Sequence, residues 1–169
     1  MDEFEYKIFI SGKSGVGKTS IAAKLSANTV PTAHSETAGI QTSTVYWPAL
    51  MRDTEQPVMF KLVLWDAGEN TLKKFDHILP ACKDKVDAVI FSFSFADKAS
   101  FEDLPQQMAR VVGADDNFCR VVMGTKLDVA ASEVTGRAVQ EFEAAWKLPV
   151  LGIRNTTDAH GQGKSSEVF

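Results

Sequence analysis

The segment Gly12–Thr19 has the most specific chemical pattern in this sequence. It reads GKSGVGKT, which matches G-x-x-x-x-G-K-[ST], and it lies between an apolar strand-like run and a helical run. Glycines in such a loop let successive backbone N–H groups point at phosphate oxygens, and the helix N-terminus adds its positive end. Lys18 is expected to reach the β- and γ-phosphates, and the Thr19 hydroxyl is expected to bind Mg²⁺. The predicted phosphate-binding residues are Ser14, Gly15, Val16, Gly17, Lys18, Thr19 and Ser20.

A second motif, Thr125–Asp128, distinguishes between nucleotides. It reads TKLD, follows a strand-like run, and fits the pattern [NT]-K-x-D. The Asp128 carboxylate could accept hydrogen bonds from both the ring N–H and the exocyclic amine of guanine, a pairing that adenine does not offer. The stem of Lys126 could lie across the base. On its own, TKLD also suits an ordinary surface loop, but late in a chain with a phosphate loop it favours GTP over ATP. It therefore disfavours an ATP-using kinase.

A carboxylate follows the apolar run Val58–Trp65. Asp66 at this position could hold Mg²⁺ through a water molecule, and the Gly68 N–H could reach a γ-phosphate. The alternative for Asp66 is that it caps the helix predicted to start near Thr71. Both interpretations place the carboxylate at a strand end.

A hydroxyl that completes Mg²⁺ coordination only when a third phosphate is present would order a loop with GTP and release it otherwise. Thr37 lies in the polar segment Asn28–Thr42, which is predicted to be a long loop, and could play this part. Three other threonines are rivals: Thr29, Thr32 and Thr42.

Apolar strand-like runs alternate with amphipathic helical runs along the chain, which is typical of a mostly parallel sheet flanked by helices. Strands are predicted over Tyr6–Ser11, Thr44–Leu50, Val58–Trp65, Val86–Phe95, Arg120–Gly124 and Val150–Ile153, and helices over Lys18–Ala27, Thr71–Cys82, Ser100–Val112 and Thr135–Trp146. The second and third strands should form an antiparallel hairpin. The pattern indicates an α/β phosphate-loop NTPase with helices on both faces of the sheet, one domain over 1–155, and a tail or truncated last helix over 156–169.

The composition fits a single globular domain and excludes some classes of function. The 169 residues are 44% hydrophobic, and the net charge of −4 argues against a general nucleic-acid binder. No apolar run reaches membrane-spanning length. We find no signal peptide, myristoylation glycine or prenylatable cysteine, so a cytoplasmic protein without a direct lipid anchor is expected.

These motifs, in this order, resemble the Ras superfamily of small GTPases over nearly the whole chain. The runs YKIFISGKSGVGKT, ETAGIQT, YWPA, WDAGE, LKKFDH and SFEDLP further resemble the Rem- and Rab-like small GTPases of the ciliogenesis and planar polarity effector complex. The resemblance implies GTP and Mg²⁺ as cofactors and partners of the Fuzzy and Inturned type. It also implies a role in protein targeting to the basal body of the cilium, in a cytoskeletal setting.

The sequence departs from this superfamily where catalysis is expected. Ras and Rab proteins read D-x-x-G-Q, and the Gln orients the attacking water. Here Gly68 follows Asp66 after one residue, and Glu69 stands at the Gln position. A carboxylate near the γ-phosphate would repel it. We therefore expect GTP binding with slow or no hydrolysis and assign no catalytic residue; the alternative is an actively cycling Rab-like GTPase in vesicle traffic. The superfamily's Ser-Ala-Lys motif is also absent, and Gly152–Thr156 occupies its place.

Overall fold

The computed structural model describes residues 1–13, 17–25, 32–37, 39–127 and 132–154, and these form seven strands and six helices. Among them, no helix has the length and apolarity needed to span a bilayer. The elements in chain order are β1 (Asp2–Ser11), α1 (Lys18–Leu25), β2 (Thr32–Thr37), β3 (Ile40–Leu50), β4 (Pro57–Ala67), α2 (Glu69–Lys74), α3 (Ile78–Lys83), β5 (Ala88–Ser94), α4 (Lys98–Glu102), α5 (Leu104–Val111), β6 (Cys119–Thr125), α6 (Gly136–Trp146) and β7 (Val150–Gly152).

The strands form one sheet in the order β2-β3-β4-β1-β5-β6-β7. β4, β1, β5, β6 and β7 run parallel to their neighbours in this order, whereas β3 is antiparallel to β4. The turn of the β3–β4 hairpin is closed by the Met51 N–H, which donates to the Gln56 carbonyl at 3.0 Å. The predicted fold class, a mostly parallel α/β sheet with an antiparallel hairpin, is confirmed.

The polar segment before β3 is not wholly a loop, so that prediction was wrong in part. Thr32–Thr37 forms β2, which pairs antiparallel with β3. This strand lies at the edge of the sheet. Because backbone hydrogen bonds hold an edge strand, it needs little of the apolar alternation that marks a half-buried strand in a sequence.

Two predicted helices are each broken in two. The run Thr71–Cys82 becomes α2 and α3, separated at Phe75, whose backbone is extended at φ −126° and ψ 109°. The run Ser100–Val112 becomes α4 and α5, with Pro105 in the first turn of α5. A proline clashes with the carbonyl four residues earlier. Pro80 and Pro105 therefore each suit the start of a new helix.

The core lies on both faces of the sheet. Phe91 and Phe93 of β5 are fully buried on the face that carries α5, and the ring of Phe93 lies 5.0 Å from that of Phe101. Ile10 and Ile90 pack with Ile21 of α1 on the opposite face. This alternation along β1 and β5 holds the carboxyl ends of the central strands in place, and these ends carry the predicted motifs.

Candidate functional site

Three of the predicted motifs meet at one edge of the sheet. β1, β4, β5 and β6 are parallel, so their carboxyl ends lie on the same side. Gly12 follows β1, Asp66 lies in the last two residues of β4, and Thr125 ends β6. In open α/β sheets this edge is where ligands bind.

Lys18, the first residue of α1, lies at the centre of this edge. Its side chain is only 9% exposed. The ammonium donates a hydrogen bond to the Gly12 carbonyl at 2.9 Å and lies 3.9 Å from Oδ1 of Asp66. The lysine therefore reaches back to the residue that follows β1 and toward the end of β4.

The Asp66 carboxyl is partly removed from water. Burial raises the pKa of this group, and the positive charge of Lys18 opposes the rise. The helix-capping alternative was wrong, because the N-cap of α2 is Gly68 and that helix end has no side-chain cap. A partly desolvated carboxylate beside Lys18 favours further positive charge nearby. The donor set thus fits a hydrated Mg²⁺ next to phosphates.

Gly17 joins the phosphate loop to the TKLD motif. Its φ of +95° lies in the left-handed region that favours glycine, and a Cβ at this position would stand 3.3 Å from Oγ1 of Thr125. Thr125 is fully buried, and its hydroxyl donates to the Phe93 carbonyl at 3.2 Å. The two motifs are more than a hundred residues apart in sequence and in contact in the fold.

The turn after β6 continues toward β7. Lys126 takes a left-handed backbone conformation with φ +57°. The Leu127 N–H donates to the Ile153 carbonyl at 3.2 Å, and the Ile153 N–H donates to the Gly124 carbonyl at 2.8 Å. The segment Gly152–Thr156 thus begins beside the TKLD motif, where a second contact to a base would have to come from.

A contact that the sequence did not predict links Gly39 to the turn after β4. The N–H of Gly68, expected to face a γ-phosphate, donates to the Gly39 carbonyl at 3.4 Å. Gly39 has φ +92°, and a Cβ there would overlap the side chain of Thr71. The lone glycine between Thr37 and Ile40 was the available signal for this close approach.

Glu69, at the position of the superfamily Gln, forms an ion pair within α2. The Lys73 ammonium donates to Oε1 of Glu69 at 2.8 Å, and the Glu69 side chain is 21% exposed. The Lys73 side chain is mostly exposed. Its charge nevertheless holds the carboxylate of Glu69, a role that the i, i+4 spacing could have indicated.

Several predicted site residues lie outside the described residues: Ser14, Gly15, Val16 and Asp128. The backbones of Thr19 and Ser20 belong to α1, and that of Thr37 ends β2, but their side chains are not described. Their contacts to nucleotide and Mg²⁺ stay predictions.

Comparison with known proteins identifies the class. The model of the Ras family matches residues 7–160, and the chain belongs to this family. Ciliogenesis and planar polarity effector 2 of Xenopus laevis is 52% identical over 155 residues, which cover 91% of the chain and 62% of that protein. Its human counterpart is 49% identical over 156 residues, which cover 92% of the chain and 60% of that protein. The Ras-related protein RabF1 of Dictyostelium discoideum is more distant, 30% identical over 156 residues that cover 89% of the chain and 75% of that protein.

The resemblance predicted from the motifs is thereby confirmed. The chain spans roughly three fifths of the length of the Xenopus laevis and human relatives.

Proposed function

We propose that this chain binds GTP with Mg²⁺ and, in that form, holds partner proteins in ciliogenesis and planar cell polarity. The observation that carries the proposal is the contact of Gly17 with Thr125 beside the pair of Lys18 and Asp66. It brings the predicted phosphate site, cation site and base site to one edge of the sheet.

Each residue has a distinct part in this proposal. The loop backbone from Ser14 to Gly17 and the ammonium of Lys18 bind phosphates, and Thr19, Thr37 and Asp66 hold Mg²⁺, Asp66 through water. Lys126 and Asp128 bind guanine, and Thr125 anchors this motif to the sheet through its hydrogen bond to the Phe93 carbonyl. The Mg²⁺ ion supplies neutralisation of phosphate charge when bound.

Slow hydrolysis is the second part of the proposal. Glu69 forms an ion pair with Lys73 and has no side-chain amide, so it cannot orient water as the Gln of Ras proteins does. GTP would then be a long-lived ligand that fixes the shape of the partner-binding surface. An actively cycling Rab-like GTPase in vesicle traffic is the competing function, and Glu69 disfavours it.

The biological setting comes from the relatives. Proteins called Ciliogenesis and planar polarity effector 2 share about half of their matched residues with this chain. We propose the same setting here, with Fuzzy- and Inturned-type proteins as partners, a location at the basal body, and a role in protein targeting to it.

The guanine site is tested by Asp128→Asn, with nucleotide binding measured by isothermal titration. An Asn donates where the carboxylate accepts, so the variant should lose GTP affinity and gain affinity for xanthosine triphosphate. Asp115→Asn is the matched control, because Asp115 is exposed in the loop before β6, at the opposite end of that strand. Equal affinity of the protein for ATP and GTP, unchanged in Asp128→Asn, would refute the guanine site.

A further inference from the structure

A cavity of about 220 Å³ lies beside the proposed nucleotide site, between α2, α3, α5 and the residues that follow β1. Leu72, Leu79 and Val111 form its apolar wall. The predicted nucleotide contacts do not use these residues. The cavity therefore needs an account of its own.

Gln107 of α5 also lines this cavity, and its side chain is 3% exposed. Its amide oxygen has no hydrogen-bond partner among the described residues. Buried polar atoms are nearly always paired, so an orphaned one points to an absent partner. The last torsion of a glutamine is soft, so the amide of Gln107 can adapt to a partner in the cavity that it lines.

The size of the cavity limits what can fill it. A cavity of about 150 Å³ holds benzene, whereas small-molecule sites usually begin at about 300 Å³. The present volume of about 220 Å³ lies between these values. It suits a single aromatic side chain better than a whole cofactor.

The charges around the cavity indicate what kind of protein segment could contribute that aromatic side chain. The lining includes Lys13, Lys73 and Arg110 but only one acidic residue, Glu69. Arg110 is half exposed and lies 3.5 Å from Asp103. Lys73 is ion-paired with Glu69 and Arg110 with Asp103, so the net positive charge around the cavity amounts to that of Lys13, and it attracts acidic groups.

We propose that the cavity receives a tyrosine side chain from an acidic segment of a partner protein. The ring packs against the apolar wall. The tyrosine hydroxyl, which can donate or accept a hydrogen bond, pairs with the Gln107 amide. The acidic neighbours of the tyrosine lie against Arg110 and Lys13. This inference rests on the proposed function, because it names the chemistry of one partner contact next to the nucleotide site.

The first experiment titrates the GTP-loaded protein with p-cresol and with toluene, followed by NMR of the methyl groups of Leu79 and Val111. We expect p-cresol to bind about fivefold more tightly than toluene, the effect of one neutral hydrogen bond. Gln107→Leu should abolish this preference. Gln106→Leu, an exposed neighbour on the same helix, should keep it. If Gln107→Leu fails to fold, the wild-type comparison decides alone, and equal binding of the two probes overturns the proposal.

The second experiment compares acetyl-Glu-Tyr-Glu-amide with acetyl-Gln-Tyr-Gln-amide. We expect the acidic peptide to bind about two- to fivefold more tightly at low salt, which is the usual effect of exposed ion pairs. This advantage should disappear at 1 M salt, because salt screens the charges. Arg110→Gln should reduce the advantage. Arg137→Gln, at an exposed position of α6, should not, because the ion pair of Arg137 with Glu141 lies away from the cavity.

GTP affinity is measured on the same samples. If the wild-type protein binds GTP but does not prefer p-cresol over toluene, the tyrosine site is overturned and the proposed function stands. If the wild-type protein does not bind GTP, the proposed function itself is contradicted. A preference for the neutral peptide overturns the acidic partner.

Discussion

The pairing of Lys18 with Asp66 leads to a quantitative prediction. Their charged atoms lie 3.9 Å apart, and the side chains are 9% and 22% exposed. Two unit charges at about 4 Å attract by about 4 kcal/mol at an effective dielectric constant of 20. Since Asp66 keeps some contact with solvent, we expect a coupling of about 2–4 kcal/mol.

The perturbation is a double-mutant cycle of Lys18→Met and Asp66→Asn in nucleotide-free protein at pH 7. Lys18→Met leaves a desolvated carboxylate without its cation and should destabilise the fold strongly, whereas the double variant should recover much of the loss. The assay is urea unfolding. The exposed pair of Lys61 and Glu5 is the control cycle, and its coupling should be close to the detection limit.

The pH dependence gives a second readout of the same pair. Burial already raises the pKa of Asp66, and removing Lys18 should raise it further. A carboxyl with a raised pKa in the folded state stabilises the fold only while it is protonated. The Lys18→Met variant should therefore lose stability as the pH rises from 4 to 7, more steeply than the wild type. A coupling below about 0.5 kcal/mol, or parallel pH profiles, would refute the reasoning.

Two further changes test other parts of the structure. Gly17→Ala forces a φ of +95° on an alanine whose Cβ meets Thr125, so it should lower the free energy of unfolding in urea by about 1–3 kcal/mol and weaken GTP binding. Gly136→Ala is the control, because a Cβ there meets open space, and it should have neither effect. Equal effects of the two substitutions would contradict this prediction. In native protein iodoacetamide should label exposed Cys119 and spare Cys82, because burial raises the pKa of the Cys82 thiol to about 11; mass spectrometry showing equal labelling would contradict this.

Much of the fold and of the candidate site could be predicted from local sequence patterns. The phosphate loop, Asp66 and Thr125 each sit at the end of an apolar strand, and the carboxyl ends of parallel strands share one edge. The order of motifs along the chain therefore implied their convergence. The contact of Gly17 with Thr125 follows from the same arrangement.

Features that depend on neighbours distant in sequence could not be predicted in this way. β2 exists because β3 offers it an edge, and its polar residues gave no apolar pattern. The unpaired amide oxygen of Gln107 becomes visible only when α5 and α2 line the same cavity. The helix breaks before Pro80 and Pro105 were, by contrast, readable from the prolines themselves.

Retention of GTP with slow or no hydrolysis can be measured on the purified protein. The nucleotide that co-purifies in Mg²⁺ is identified and then followed by chromatography over hours at 25 °C. We expect bound GTP that persists beyond its intrinsic lifetime on Ras, whose hydrolysis rate is about 4 × 10⁻⁴ s⁻¹. Bound GDP, or loss of the γ-phosphate at the Ras rate without partners, would contradict it.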